Sequence, residues 1–183
     1  EHPWLSGGRQ TVFDAGTGAF SHGFPEMSAI AHKLHEIGDI QFEQTFVSAP
    51  APINPGLGPV FNSVSCISCH IGDGRGKPPA GNEPLLGLLI RISVPGTDPH
   101  GGPAPVPGFG GQLQQRATFG NAPEANITVA WSSTNETLHD GTVADLRSPS
   151  FTFPNAYTAL PVDMMWSARV APPVFGLGLL EAI

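Results

Sequence analysis

The sequence predicts an α+β, loop-rich fold: a short helical core with a small β-hairpin or sheet insertion. Three observations carry this. Gly (23) and Pro (20) make up nearly a quarter of the 183 residues, yet they are dispersed among aliphatic and aromatic residues rather than gathered in repeats. One stretch has helical spacing of apolar residues, at Ile30, Leu34, Ile37 and Phe42. Further along, short apolar or alternating stretches read as strands. A chain of this length is expected to be one domain, 1–183.

The elements follow in order. Residues 1–25, with "FDAGTGAFSHGFP", lack periodicity and read as loop. A helix is expected from about Glu26 to Phe46, broken near Gly38. "SAPAPINPGLGPVFN" is a shaped loop, and a second, short helix is expected from about Val60 to Ile71. "GDGRGKPPAGNEP" is loop again. Leu85–Val94, "LLGLLIRISV", reads as a buried strand ending at Pro95-Gly96. Asn126–Ser132 alternates and reads as a strand, and Val143–Phe153 is expected to pair with it across the turn "HDG". The chain thus divides into a core at about 26–80, a β-containing insertion at about 85–155 and an apolar tail at 160–183.

Composition excludes several functions. Net charge is −7 with only 8 Lys and Arg, so phosphate-backbone binding lacks its cations and no nucleic-acid partner is expected. An acidic surface suits a basic protein partner instead. The longest apolar run, Leu85–Ile90, is far too short to span a bilayer. The start, Glu1-His2-Pro3, reads as a processed terminus, and Asn126-Ile127-Thr128 and Asn135-Glu136-Thr137 match the glycosylation acceptor pattern.

The chemistry concentrates in "SCISCHI", which holds both cysteines of the chain, Cys66 and Cys69, followed by His70. C-x-x-C-H is the attachment pattern of c-type haem. Thiols three positions apart lie on one helical turn and reach two vinyl groups on one porphyrin edge, and the adjacent imidazole is placed to ligate iron. A redox C-x-x-C pair has no need of His70, zinc requires four ligands at a spacing that is absent, and a disulfide here would close a very short loop. One covalent haem c is therefore expected, on a cytochrome c-like helical haem core. That chemistry points to a periplasmic or extracellular location, after removal of a signal peptide.

Around this motif, "LSGG" (5–8), "FEQTFVSAPAPINPGLGPVFNSVSCISCHIGDGRGKPP" (42–79), "GGQLQQRA" (110–117) and "RVAPPVFGLGLLEAI" (169–183) resemble the bacterial di-haem oxidoreductase family, whose members are described as thiol oxidoreductases or peroxidases and are related distantly to di-haem peroxidases. Family proteins are longer and carry a second C-x-x-C-H module. The resemblance implies an N-terminal haem module, half of a two-haem protein, with a second haem domain or redox protein as partner. It implies peroxidase-like or thiol-oxidising catalysis only within such a two-haem protein; a structural haem subunit is a further reading.

Other residues have two readings each. Candidates for the sixth iron ligand are Met164 or Met165, then His139 in the turn "TLHDG", and also Met27, His22, His32, His35 and His100. Against this stands the reading of each as a packing or surface residue, and His32 with His35, which could bind metal, reads rather as a solvated patch. Arg75, Lys77 and Arg169 are candidates for haem propionates, against a plain surface role. Phe61 and Pro59 are expected against the ring. Trp131 and Trp166 are candidates for electron hopping or core packing. Asp73 and Asp98 sit in Gly-rich loops as Ca²⁺ candidates, although no D-x-D-x-D-G loop is present. The leucines of the tail, Leu179 and Leu180, call for a partner that covers them.

Overall fold

The computed structural model describes residues 5–81, 83 and 85–181. The start at Glu1-His2-Pro3, the last residues Ala182 and Ile183, and the side chain of Leu179 lie outside the described residues.

Helix α1 (Ala29–Glu43) is the long helix. It begins where Ser28 turns extended and its hydroxyl accepts the Ala31 N–H, an N-cap that satisfies one orphan donor. It runs through Gly38 without a break, which corrects the expected interruption: a single glycine costs a helix only about 1 kcal/mol. Strand β1 (Val60–Phe61) follows, then β2 (Leu88–Thr97), β3 (Pro103–Ala104), β4 (Gln112–Leu113), β5 (Arg116–Ala117), β6 (Thr128–Thr137), β7 (Val143–Thr152) and β8 (Met165–Val170); a short helix, α2 (Leu177–Glu181), comes last.

β2 is the hub, pairing antiparallel with β3, β4 and β8. Its alternation sends Leu88, Ile90 and Ile92 into the core and leaves Arg91 in solvent. Past Val94 the ladder shifts register, and Pro95, which has no N–H to give, falls within that irregularity. β6 and β7 form a ten-pair ribbon closed by Leu138–Thr142, with Leu138 N–H donating to the Thr142 carbonyl (2.8 Å). β1 pairs β5.

The core is built from Leu85, Leu88, Ile90, Ile92, Val106, Phe109, Leu113, Ala125 and Val129. Ile90 and Leu113 are fully buried, each contributing about 1.5–3 kcal/mol. Tyr157 covers this core, stacking at a tilt on Phe109 (4.7 Å) and donating its hydroxyl to the Gly108 carbonyl.

This arrangement corrects the expected fold class. The body of the protein is a set of antiparallel sheets, not a cytochrome c-like helical core with a small β insertion. The expected helix at 60–71 is instead the short strand β1 followed by a single turn. Segment 169–170, expected in an apolar tail, belongs to β8 and pairs with β2 at Leu88 and Leu89. The physical reason is burial: among the described residues every buried hydrophobic side chain lies at or after Leu85, and α1 buries none.

Candidate functional site

β1 delivers the chain to the cysteine motif. Beyond it, Asn62 donates its side-chain amide to the Leu113 carbonyl (3.1 Å), and its oxygen accepts the Gln115 N–H (3.2 Å), fixing the entry on the β4–β5 segment. Two further bonds tie the motif to the end of α1: Phe46 N–H to the Val64 carbonyl (2.8 Å) and Ile67 N–H to the Phe42 carbonyl (3.4 Å).

Ser65 opens the motif as an N-cap does. Its hydroxyl accepts the Ser68 N–H (3.3 Å) and bonds the Ser68 hydroxyl. Cys69 and His70 both donate N–H to the Cys66 carbonyl (3.0 Å each), so the two cysteines and the histidine stand on one helical turn. The turn stops at a 3-10 segment, Ile71–Asp73, where Gly72 and Asp73 take positive φ (60° and 57°). Cys66 is exposed, Cys69 half-buried, and the thiols are not joined.

His70 is oriented from the far end of the sequence. Its Nδ1 lies 2.7 Å from the Pro172 carbonyl oxygen, and because a carbonyl only accepts, Nδ1 carries the proton. In the neutral ring this tautomer leaves Nε2 with the lone pair that a metal needs. Residues 171–174 form a strap held on the motif: Gly76 N–H donates to the Ala171 carbonyl (2.8 Å), Ala171 N–H to the Gly87 carbonyl (2.9 Å), and Val174 N–H to the Asp73 carbonyl (2.9 Å). Asp73 is buried and accepts the Ser21 hydroxyl (2.5 Å). Gly76 and Gly87 cross in direct backbone contact, so a Cβ on Gly76 would collide with the Gly87 carbonyl and sit 2.9 Å from the Cys69 carbonyl.

The remaining expected residues scatter. Beside the strap lies an open, mainly apolar cleft of about 420 Å³, lined among others by Phe20, Phe42, Phe175, Met27 and His35. Phe42 joins it to the motif, its ring 6.0 Å from the His70 ring, but neither cysteine nor His70 lines it. Met27 Sδ accepts the Phe24 N–H (3.1 Å) and His35 Nε2 lies 3.4 Å from the Ser21 carbonyl. His22, also on the cleft, pairs with Asp14 (2.7 Å); that bond, helped by the Gly16 N–H, holds the Asp14 carboxyl below its ordinary range. His32 pairs with Glu36 one turn on (3.3 Å).

Met164 packs on the sheet core, and Met165 is exposed opposite Ser93. Met165 stands five residues, or about 17 Å of strand, before the end of β8 that leads to Pro172. His139 is in the loop at the tip of the β6–β7 ribbon, nine strand steps or about 30 Å from its base. His100 donates its N–H to Asp98 (2.8 Å), which also takes the Gly102 N–H, so that carboxylate shapes a turn. Arg75 and Lys77 are exposed just past the motif, and Phe61 is half-buried in β1 beside Pro59, whose carbonyl accepts the Thr118 N–H (2.9 Å). Trp131 lies under the Arg147 guanidinium (4.3 Å), and Trp166 sits edge-on between Phe151 and Phe153 (5.6 and 5.5 Å).

Sequence reasoning passed over Pro172, Ser65 and the Gly76–Gly87 crossing. The available signal for the first was "APPV": a residue before proline is held extended, which sets its carbonyl out to the side.

The residues present fit a c-type haem by their donor chemistry: two unjoined thiols on one turn and an imidazole whose other nitrogen is already engaged. Among the described residues no three His, Cys, Asp or Glu side chains gather as a metal-ion cluster, and no helix is long and apolar enough to cross a membrane. A sequence model of a family described as "Di-haem oxidoreductase, putative peroxidase" matches residues 2–183. No curated protein and no solved structure matches the chain.

Proposed function

Because the chain belongs to the di-haem oxidoreductase family, we propose that it is a c-type cytochrome module that holds one covalent haem and passes electrons to or from a second haem domain or a redox partner. The observation that carries this is the His70 Nδ1–Pro172 bond, set beside Cys66 and Cys69 on one turn. A bound haem supplies a reversible one-electron store. The chain's residues do the rest. Cys66 and Cys69 would hold such a haem through two thioether bonds, each sulfur bonding one vinyl carbon while the thiol hydrogen goes to the neighbouring carbon. His70 would ligate the iron through Nε2, with the Pro172 carbonyl fixing the tautomer and raising the basicity of the ring. The strap 171–174, bonded to Gly76, Gly87 and Asp73, keeps that carbonyl in place. The reading places the protein in the periplasm or outside the cell, where such attachment occurs.

The family description favours a second reading, in which the module is the catalytic half of a peroxidase-like or thiol-oxidising enzyme. The ferric absorption and electron paramagnetic resonance spectra of the purified protein separate the two. A low-spin, six-coordinate iron supports electron transfer; a high-spin iron with an open site that reacts with peroxide overturns it in favour of catalysis.

A further inference from the structure

A second groove, of about 510 Å³, lies across the sheet and is lined by Arg91 and Ser93 of β2, by Met165, Ser167 and Arg169 of β8, and by Gly111 among others. The antiparallel register explains the gathering. Ser93 pairs with Met165, Arg91 with Ser167 and Leu89 with Arg169, so alternate residues of both strands face one side. Arg91 and Arg169 are diagonal neighbours, about 7–8 Å apart at the backbone. The Arg91 guanidinium also leans towards Gly111, where a Cβ would lie 3.4 Å from its Nη2.

Two arginines on diagonal positions of adjacent strands bring like charges onto one face, and an anion between them would be attracted to both. Among the described residues neither arginine makes an ion pair, although the chain carries 15 acidic residues against 8 Lys and Arg. Among the described residues no Asp or Glu lines the groove. Guanidinium forks match the two oxygens of a carboxylate, the serine hydroxyls add donors on the same face, and the half-exposed Met165 gives an apolar end. We propose that this groove binds a soluble carboxylate with an apolar body, with Arg91 and Arg169 holding its oxygens and Met165 its body. The site is built from the sheet and does not require the cysteine motif.

The test is titration calorimetry of the purified protein with benzoate, its uncharged analogue benzamide and inorganic phosphate. Saturable benzoate binding is expected, with benzamide and phosphate each at least about ten-fold weaker. Arg91→Gln and Arg169→Gln should each weaken benzoate about ten-fold or more, while Lys33→Gln on α1 leaves it unchanged and the visible absorption spectrum stays as in the wild type. Absence of saturable benzoate binding, or benzamide binding as well as benzoate, overturns the proposal from the wild type alone. Phosphate binding as tightly overturns the carboxylate assignment. Failure to bind benzoate together with a changed visible spectrum in Arg169→Gln overturns it in favour of a haem propionate as the occupant.

Discussion

At the residue scale, the roles of Cys66, Cys69 and His70 rest on one turn of backbone and one carbonyl. Replacing both cysteines, Cys66→Ser with Cys69→Ser, is expected to abolish haem that survives denaturing electrophoresis, and either single change to leave a one-link attachment; a haem stain of the gel checks both. Gly76 and Gly87 hold the turn against β2 by a backbone crossing that leaves no space for a side chain, and Gly87 has a positive φ of 73°. Gly76→Ala or Gly87→Ala should cost about 1–3 kcal/mol, with a melting temperature lowered by about 2–4 °C per kcal/mol. Glu124 provides a pH test. Burial pushes its carboxyl above the ordinary value of 4.5, partly opposed by the Gln114 N–H it accepts. The folded state therefore holds the proton more tightly, and this contribution to stability, complete below pH 4.5, is lost as pH rises through the raised value. Glu124→Gln should melt higher than the wild type at neutral pH, with the difference closing below pH 4.5; a gap that widens in acid would contradict the assignment.

At the element scale, what was legible in the sequence was what local spacing controls. The apolar period of α1, the short apolar run of β2 that stops at Pro95-Gly96, and the β6–β7 pairing across "HDG" were readable because each is a pattern within one segment. β8 was not, because six residues that include Trp166, Ser167 and Arg169 gain their strand character only from the β2 edge. The expected helix at the motif failed for a similar reason. Gly72 and Gly74 end it after one turn, and the Asn62 bonds to Leu113 and Gln115 hold its start in the β1–β5 region. The motif's residue types were readable from three letters and their spacing, while the partner of His70 lies 102 residues away and had no local signal. The ribbon is tied down at its middle, where Arg147, opposite Ser133, covers Trp131 and donates to the Ala80 carbonyl (2.7 Å). Arg147→Ala should lower stability by about 1–2 kcal/mol, through loss of the stacked cation and the loop tether together, as read in urea unfolding.

At the scale of the whole molecule, the two parts of the chain are unequal. The sheet part has a core of nine clustered side chains. The part that carries the motif has no buried hydrophobic side chain among the described residues, and it exposes Ile30, Leu34, Ile37 and Ile40 along α1, together with Phe46, Val47 and Ile53. Under the proposed function, an apolar porphyrin and a partner surface would supply what that part lacks and would order so Gly- and Pro-rich a segment. Covalent attachment at Cys66 and Cys69 is the central claim, and it is tested most directly by mass spectrometry of the proteolytic peptide that spans Ser65 to Ile71. The account predicts a peptide heavier by one haem, bonded at both sulfurs. A peptide bearing free thiols, or Cys66 and Cys69 joined as a disulfide, would contradict it.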